Sequence, residues 1–244
     1  MSVNNSKKPL CKVRYAREHI RLPTFSANAV LPGLIGLLAV IFCATAVAAT
    51  PFHIENRRAI DLPPSPPADG QHMLSLTIAN IADWNDSEIA DSIGIAAGIL
   101  AQCKVRVDQA ELLRITVPES HRHFDTPRSR ELAAALALPK PTLYFSDDTR
   151  QHTPFDAEAI GRGNSRSRPE LTDTVWIARG ARDLGLVIAH ELAHVLMNSS
   201  EHDHTPGNLM AESTDPANTQ LTAAQCATMR ATGSRNGLLR PGVN

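Results

Sequence analysis

Apolar and polar positions alternate along most of the chain in patterns that predict strands and helices in turn. HMLSLTIANI, which begins at residue 72, has the alternation of a strand, and DSEIADSIGIAAGILAQ, which begins at residue 86, has the spacing of a helix. Further on, the pattern predicts a strand, a short helix and two more strands at 112–117, 129–138, 142–146 and 174–178. Elements in this order predict an α+β domain built in three layers.

The segment 180–197, GARDLGLVIAHELAHVLM, differs from the other predicted helices because apolar residues occur on nearly all of its sides. A helix of this kind is expected in the middle of the domain. Two histidines and a glutamate on a buried helix are costly unless they are paired or bind a metal ion. The segment is therefore the strongest candidate for a functional site.

The pattern HELAH within this helix is typical of a zinc site. His190 and His194 stand one turn apart on the same face, so both rings can reach one metal ion. Glu191 follows the first histidine, where its carboxylate can take a proton from a zinc-bound water as that water attacks a carbonyl group. A match to this pattern arises by chance on the order of once in fifty chains of this size. The predicted burial of the helix adds weight to the match.

A zinc hydrolase needs a third protein ligand, and the segment after the helix offers two histidines. Asn198 tolerates a positive φ and can end the helix and turn the chain back toward the metal. His202 is favoured as the ligand because it needs the shorter connection, and His204 is then free to stabilise a developing oxyanion. An acidic third ligand is the alternative, with three candidates: Asp203, Glu212 and Asp215.

HELAH, the downstream histidine and the NLM sequence that ends at Met210 resemble the metzincin clan of zinc peptidases. The resemblance covers residues 174–213 and implies a zincin-like domain with a mixed sheet, a buried active-site helix, one catalytic Zn²⁺ and a turn that places Met210 beneath the metal. The clan's third histidine usually lies ten residues after the first, whereas His202 and His204 lie twelve and fourteen after it. A longer connection is therefore implied. The alternative for Met210 is a residue that only fills the core.

These residues together predict a zinc-dependent metallopeptidase that hydrolyses polypeptides, with Zn²⁺ on His190, His194 and His202 and with Glu191 as general base. Two other functions stay open: a zinc-binding envelope module without turnover, and a zinc hydrolase of non-peptide amides. A purely structural site would not need Glu191, which favours an enzyme. The strand at 174–178 is either an edge that pairs with an extended peptide substrate or an internal strand.

Charge and hydropathy set the first 50 residues apart from the rest. They carry six Lys or Arg and one acidic residue, and a mostly apolar, uncharged run extends from 27 to 49. Basic residues before such a run predict a cytoplasmic N-terminus and export of the chain that follows, to the periplasm or the cell exterior. The run can span a bilayer and also ends in small residues that suit a signal peptidase, so a transmembrane anchor and a cleaved signal peptide both stay open.

The remaining residues carry 18 basic and 24 acidic groups, which argues against a nucleic-acid partner. Cys11 and Cys43 lie in the targeting region, leaving Cys103 and Cys226 in the exported part. Two cysteines in an oxidising compartment are expected to pair, and two separate buried thiols are the alternative.

The predicted organisation has four parts. Residues 1–50 are a basic tail with a signal peptide or transmembrane segment, 51–70 a proline-rich linker, 71–232 a zincin-like catalytic domain and 233–244 a flexible C-terminal tail.

Overall fold

The structure, a computed structural model, describes residues 51–62, 70–149, 157–163, 165–213 and 215–242. These parts form four α-helices and a seven-stranded sheet, so the predicted α+β class is confirmed. The helices are α1 (Asp86–Ala101), α2 (Thr126–Leu136), α3 (Leu184–Met197) and α4 (Ala223–Arg235). The strands are β1 (His53–Ala59), β2 (His72–Asn80), β3 (Val105–Thr116), β4 (Thr142–Phe145), β5 (Ala157–Ile160), β6 (Thr174–Ile177) and β7 (Leu239–Pro241).

The sheet is mixed, as predicted. Its order is β1-β3-β2-β4-β6-β5, and β7 pairs with the start of β2. The four central strands run parallel, whereas β1, β5 and β7 are antiparallel to their neighbours. Because β6 lies between β4 and β5, the interpretation of 174–178 as an edge strand is wrong, and β5 takes the edge position beside it.

Successive side chains of the central strands face two different layers of helices. Leu143 and Phe145 belong to the core that the sheet shares with α1, α3 and α4, whereas Tyr144 belongs to the core that contains α2. In that second core Trp176 stacks on Tyr144 with ring centroids 4.1 Å apart. Helices on both faces of one sheet make the three layers that the sequence predicts.

The helix α3 follows β6 and is buried between the sheet and the other helices. Of its residues, all except Glu191 are buried. Its helical conformation ends at Asn198, whose φ of 52° lies in the left-handed region, as the sequence predicts for this asparagine. The residues of the HELAH pattern are therefore held by a helix that packing fixes on nearly every side.

The start of α3 packs so closely on α1 that a glycine is needed there. A Cβ atom on Gly185 would lie 2.6 Å from Cβ and Cγ2 of Ile95 and 3.1 Å from the carbonyl oxygen of Ser92. The Ser92 oxygen belongs to the backbone and the Ile95 Cβ is bonded to it, so neither atom can move without a shift of α1. We expect Gly185→Ala to lower the free energy of unfolding by about 1–3 kcal/mol, measured by urea denaturation.

Gly98 provides the matched control because it lies in α1 and a Cβ atom there would meet nothing within 4 Å. Gly98→Ala should raise the stability by roughly 0.5–1 kcal/mol through helix propensity. If Gly185→Ala proved as stabilising as Gly98→Ala, the close α1–α3 contact would not exist in solution.

Two predicted domain boundaries are wrong. The predicted linker 51–70 contains β1, which pairs antiparallel with β3, and the predicted tail 233–244 contains the end of α4 and β7, which pairs with β2. Most side chains of β1 are exposed, so the strand has almost no apolar alternation to reveal it. In both segments backbone hydrogen bonds to a neighbouring strand supply the order that the side-chain pattern does not indicate.

The predicted membrane segment within 1–50 lies outside the described residues. In the part of the chain that the structure describes, no helix is long and apolar enough to cross a bilayer. The transmembrane anchor and the cleaved signal peptide both stay predictions.

Candidate metal centre

Two histidines of α3 direct the same ring nitrogen at the same point. The Nε2 atoms of His190 and His194 are 2.9 Å apart. Both residues are buried, and both line a cavity beside the helix. The convergence follows from the helix itself, because residues four apart project from one face.

The other ring nitrogens of this pair face backbone carbonyls. Nδ1 of His190 is 2.7 Å from the carbonyl oxygen of Leu209, and Nδ1 of His194 is 2.7 Å from that of Ser199. Since a carbonyl can only accept, each Nδ1 carries the proton, and Nε2 of the neutral ring keeps a lone pair. Proteins orient metal-binding imidazoles with the same kind of contact.

Both rings are held in the neutral form. Burial, with smaller contributions from the neighbouring His190 and His202, lowers the pKa of His194 to about 4. The pKa of His190 also falls below its usual value, first because of burial and then because of His202. Two neutral rings whose lone pairs converge repel each other unless a cation lies between them. The pair therefore has the electrostatics of a metal site.

A third histidine completes the group. Nε2 of His202 is 3.3 Å from Nε2 of His194, and one nitrogen from each of the three rings lies within 4.8 Å of the others. The left-handed turn at Asn198 makes this possible, because it sends the chain back over the end of α3. The structure brings His202, and not His204, to the pair. His204 is exposed and is not among the described residues that line the cavity, so its position does not support its predicted role at an oxyanion.

None of the three acidic alternatives for the third ligand joins the group: Asp203, Glu212 and Asp215. The carboxylate of Asp203 points toward Asn208 and Gln225. Glu212 lines the cavity, and Asp215 is exposed, where it accepts a hydrogen bond from a nearby backbone N–H.

The geometry of the three histidines fits a tetrahedral metal ion. Zinc–nitrogen bonds of about 2.0–2.1 Å place the nitrogens of a tetrahedral site about 3.3 Å apart. Here Nε2 of His194 is 2.9 Å from Nε2 of His190 and 3.3 Å from Nε2 of His202. Three imidazoles also leave one coordination position open, as catalytic zinc sites do. The cluster can hold a metal ion, and its donor set suits zinc.

The cavity over the histidines has a volume of about 330 Å³. One wall is formed by β5 and the glycine that follows it, and another by residues 198–200 after α3. Glu191 is partly exposed and lines the cavity next to His190. Loss of water contact, together with a smaller effect of the negative charge of Glu158, raises the pKa of Glu191 to about 8. A cation on the three histidines would act in the opposite direction and favour the carboxylate.

The predicted methionine turn lies beside the first ligand. Asn208 Oδ1 accepts a hydrogen bond of 2.8 Å from the N–H of Met210, and the carbonyl between them, that of Leu209, faces His190. Met210 is buried in the core that contains α3. Support of the metal by its thioether stays a prediction, and so does the alternative of a residue that only fills the core.

Cys103 and Cys226 form a disulfide, as predicted. The bond joins the chain just after α1 to the first turn of α4, and both cysteines are buried. It therefore ties together two helices that pack on the same side of the sheet as α3.

Several groups at the site are not foreseen from the sequence. The carbonyls of Leu209 and Ser199 orient two histidines, but a backbone carbonyl is common to all residues and leaves no mark in the sequence. Strand β5 forms a cavity wall, yet it lies in a polar stretch in which the sequence pattern predicts no strand. For β5, the short apolar alternation in AEAI is the one available signal.

Comparison with known proteins adds no relative: no protein-family model matches the chain, and no curated protein matches it.

The group of three predicts which histidine matters for metal binding. His202→Ala removes one of the three nitrogens. It should weaken metal binding by more than 10–100-fold, roughly the loss expected when only the hydrogen-bond partner of a ligand is removed. His204→Ala should leave metal binding unchanged, because this side chain lies outside the group. Competition with a chromophoric chelator measures both affinities. A loss in His204→Ala with none in His202→Ala would show that the loop is arranged differently.

Proposed function

We propose that this protein is a zinc-dependent hydrolase of peptide bonds, a metallopeptidase similar to the metzincins. The observation that carries the proposal is the convergence of three histidine Nε2 atoms, two of them fixed as lone-pair donors by backbone carbonyls, in a cavity that Glu191 also lines. A structural metal site would need no carboxylate at this position and no adjoining cavity.

The three histidines would hold the zinc ion beside the cavity that they line. When bound there, zinc polarises a carbonyl group and lowers the pKa of water at its open position. Three neutral nitrogen ligands leave the full charge of the ion uncompensated, which suits both effects. His202 is exposed and lines the same cavity as His190 and His194.

Glu191 is the residue that would move protons. Its carboxylate lies in the cavity next to a ligand, so it can take a proton from the attacking water and then give it to the leaving amine nitrogen. The backbone of Glu191 is held in place by α3, because every other residue of that helix is buried. A general base held on a rigid element is pre-organised for this transfer.

An extended peptide suits the shape of the site. Among the described strands, β5 pairs with β6 alone, and β5 lines the cavity. The free edge of a strand can pair with the backbone of an extended peptide, which gives affinity without requiring one particular side chain. Recognition of this kind favours a polypeptide as the substrate over a small amide.

We further propose that the catalytic part works outside the cytoplasm, either tethered to the membrane by the apolar run within 1–50 or released by cleavage after it. The disulfide between Cys103 and Cys226 supports this location, because disulfides persist in oxidising compartments.

The proposal is tested with the full chain, purified in mild detergent and loaded with one equivalent of zinc. The sample is incubated with a mixture of unfolded proteins, and new N-termini are read by mass spectrometry. We expect cleavage that stops when a chelator removes the zinc and resumes when zinc is restored. Zinc binding without cleavage would overturn the proposal. Hydrolysis of small non-peptide amides would then indicate the alternative hydrolase, and silence toward both substrates would indicate a zinc-binding module.

A further inference from the structure

The three ligands are held in place by different means. His190 and His194 belong to a helix that packing fixes, whereas His202 belongs to an exposed segment in which packing fixes little. A metal site needs all of its ligands held to within a fraction of an ångström. Hydrogen bonds must therefore fix the segment that carries the third histidine.

The side chain of Gln225, in the first turn of α4, lies at the centre of such hydrogen bonds. Its Nε2 donates to Asp203 Oδ2 at 3.2 Å and to Asn208 Oδ1 at 3.2 Å. Its Oε1 accepts from Asn208 Nδ2 at 3.1 Å and from the N–H of Thr222 at 2.8 Å. One amide thus joins the start of α4 to two residues of the segment after α3.

Asp203 and Asn208, the two partners of this amide, lie next to residues that carry or orient the histidines of the proposed metal centre. Asp203 follows His202 in the chain, and its own N–H donates to the carbonyl of Met210 at 2.8 Å. Asn208 is buried, and its Oδ1 accepts from the N–H of Met210. The carbonyl of Leu209, between Asn208 and Met210, accepts from His190. Hydrogen bonds therefore connect the residue after His202 to the methionine turn, and the methionine turn to His190.

A plain helix cap does not account for this arrangement. Thr222 and Gln225 form a capping box, in which the Thr222 side chain accepts from the N–H of Gln225 and Gln225 Oε1 accepts from the N–H of Thr222. That box uses only the acceptor end of the Gln225 amide, and glutamate serves in it as well as glutamine. The donor end has no function in the cap, yet it makes the contacts to Asp203 and Asn208.

We propose that Gln225 is a positioning residue of the metal centre, which through Asp203 and Asn208 holds His202 and the methionine turn in the arrangement that binds the ion. The inference rests on the proposed metal centre. The N-terminal turn of α4 thereby becomes part of the support of the site, although none of its residues belongs to the group of three histidines. Partners of this indirect kind typically contribute about 10–100-fold to metal affinity.

The decisive variant is Gln225→Glu. It keeps the acceptor that the capping box needs and replaces the donor with an acceptor that faces the carboxylate of Asp203. We expect zinc affinity to fall by about 10–100-fold, measured on the full chain by competition with a chelator. The absorption spectrum of the Co²⁺-loaded variant should also change, since it reports the geometry of the ligands. Adding Asp203→Asn restores a donor opposite the new carboxylate and should recover most of the affinity.

Thr222→Ala is the matched control, because it removes the side chain of the same capping box and leaves the contacts of the Gln225 side chain to Asp203 and Asn208 in place. It should lower the melting temperature without lowering zinc affinity. If the wild type binds zinc tightly and Gln225→Glu binds it with equal affinity, the role of Gln225 is overturned, whereas the proposed metal centre is not. An equal loss in Thr222→Ala would also overturn it, since the effect would then be one of helix stability. A wild type that binds no zinc would overturn the proposed metal centre as well.

Discussion

Replacing Glu191 with glutamine is expected to lower kcat/KM for peptide hydrolysis by about 10²–10⁴-fold, the range that one general acid–base group contributes. Glutamine keeps the size of the side chain but cannot accept a proton from water. It also matches the shape of the protonated carboxyl group, the form that the raised pKa of about 8 favours in the metal-free protein. The fold and the three histidines should therefore be unaffected.

The measurement is peptide turnover together with zinc content and melting temperature of the full chain. Zinc content should stay at one ion per chain, because Glu191 is outside the group of three histidines. Glu88→Gln makes the same chemical change on the exposed face of α1 and should keep full activity. If Glu191→Gln retained wild-type turnover, another group would have to be the general base.

Removal of the disulfide is expected to have the largest effect on stability. The two cysteines are 123 residues apart in the chain, so the bond restricts a very long loop of the unfolded state. Chain-entropy reasoning gives nearly 5 kcal/mol for loops of about this length, and removal of native disulfides typically costs about 2–5 kcal/mol. We expect a loss in this range for the double variant Cys103→Ser with Cys226→Ser, measured by urea denaturation.

The reducing agent dithiothreitol supplies the control. It should destabilise the wild type by a similar amount and leave the double serine variant unchanged. A wild type that is equally stable with and without the reductant would show that the bond does not form or does not restrict the unfolded chain.

The parts of the fold that are buried on both sides could be predicted from the sequence. The helix α3 is apolar almost all round, and β4 and β6 are short runs of large residues, so each has a clear pattern. The spacing of His190 and His194 in the HELAH pattern predicts that both rings face one point, and their Nε2 atoms lie 2.9 Å apart. Local periodicity is sufficient for these features because a helix alone sets the relation between the two rings.

The edges of the sheet could not be predicted in the same way. The strand β1 reads HIENRRA, and its charged side chains point to solvent or form exposed ion pairs, such as that of Arg57 with Glu111 at 3.4 Å. Edge strands of this kind are held by backbone hydrogen bonds, which every sequence can make. The sequence pattern consequently predicts a domain that starts too late in the chain and ends too early.

Local sequence patterns also do not predict which residues hold His202 in position. Gln225 lies far from His202 in the sequence, and nothing in the residues around it indicates which distant carboxylate its amide meets. The backbone carbonyls that orient His190 and His194 cannot be predicted from the sequence, because every residue has one. A single sequence therefore predicts the identity of the ligands better than the means by which they are held.

X-ray absorption at the zinc edge of the zinc-loaded full chain would show whether His190, His194 and His202 bind one zinc ion with an open position for water. We expect three imidazole nitrogens and one further light atom at about 2.0–2.1 Å from the zinc, and one imidazole fewer in His202→Ala. A chain that retains no zinc would contradict the proposed centre, and so would a zinc shell that contains sulfur or that is the same in His202→Ala.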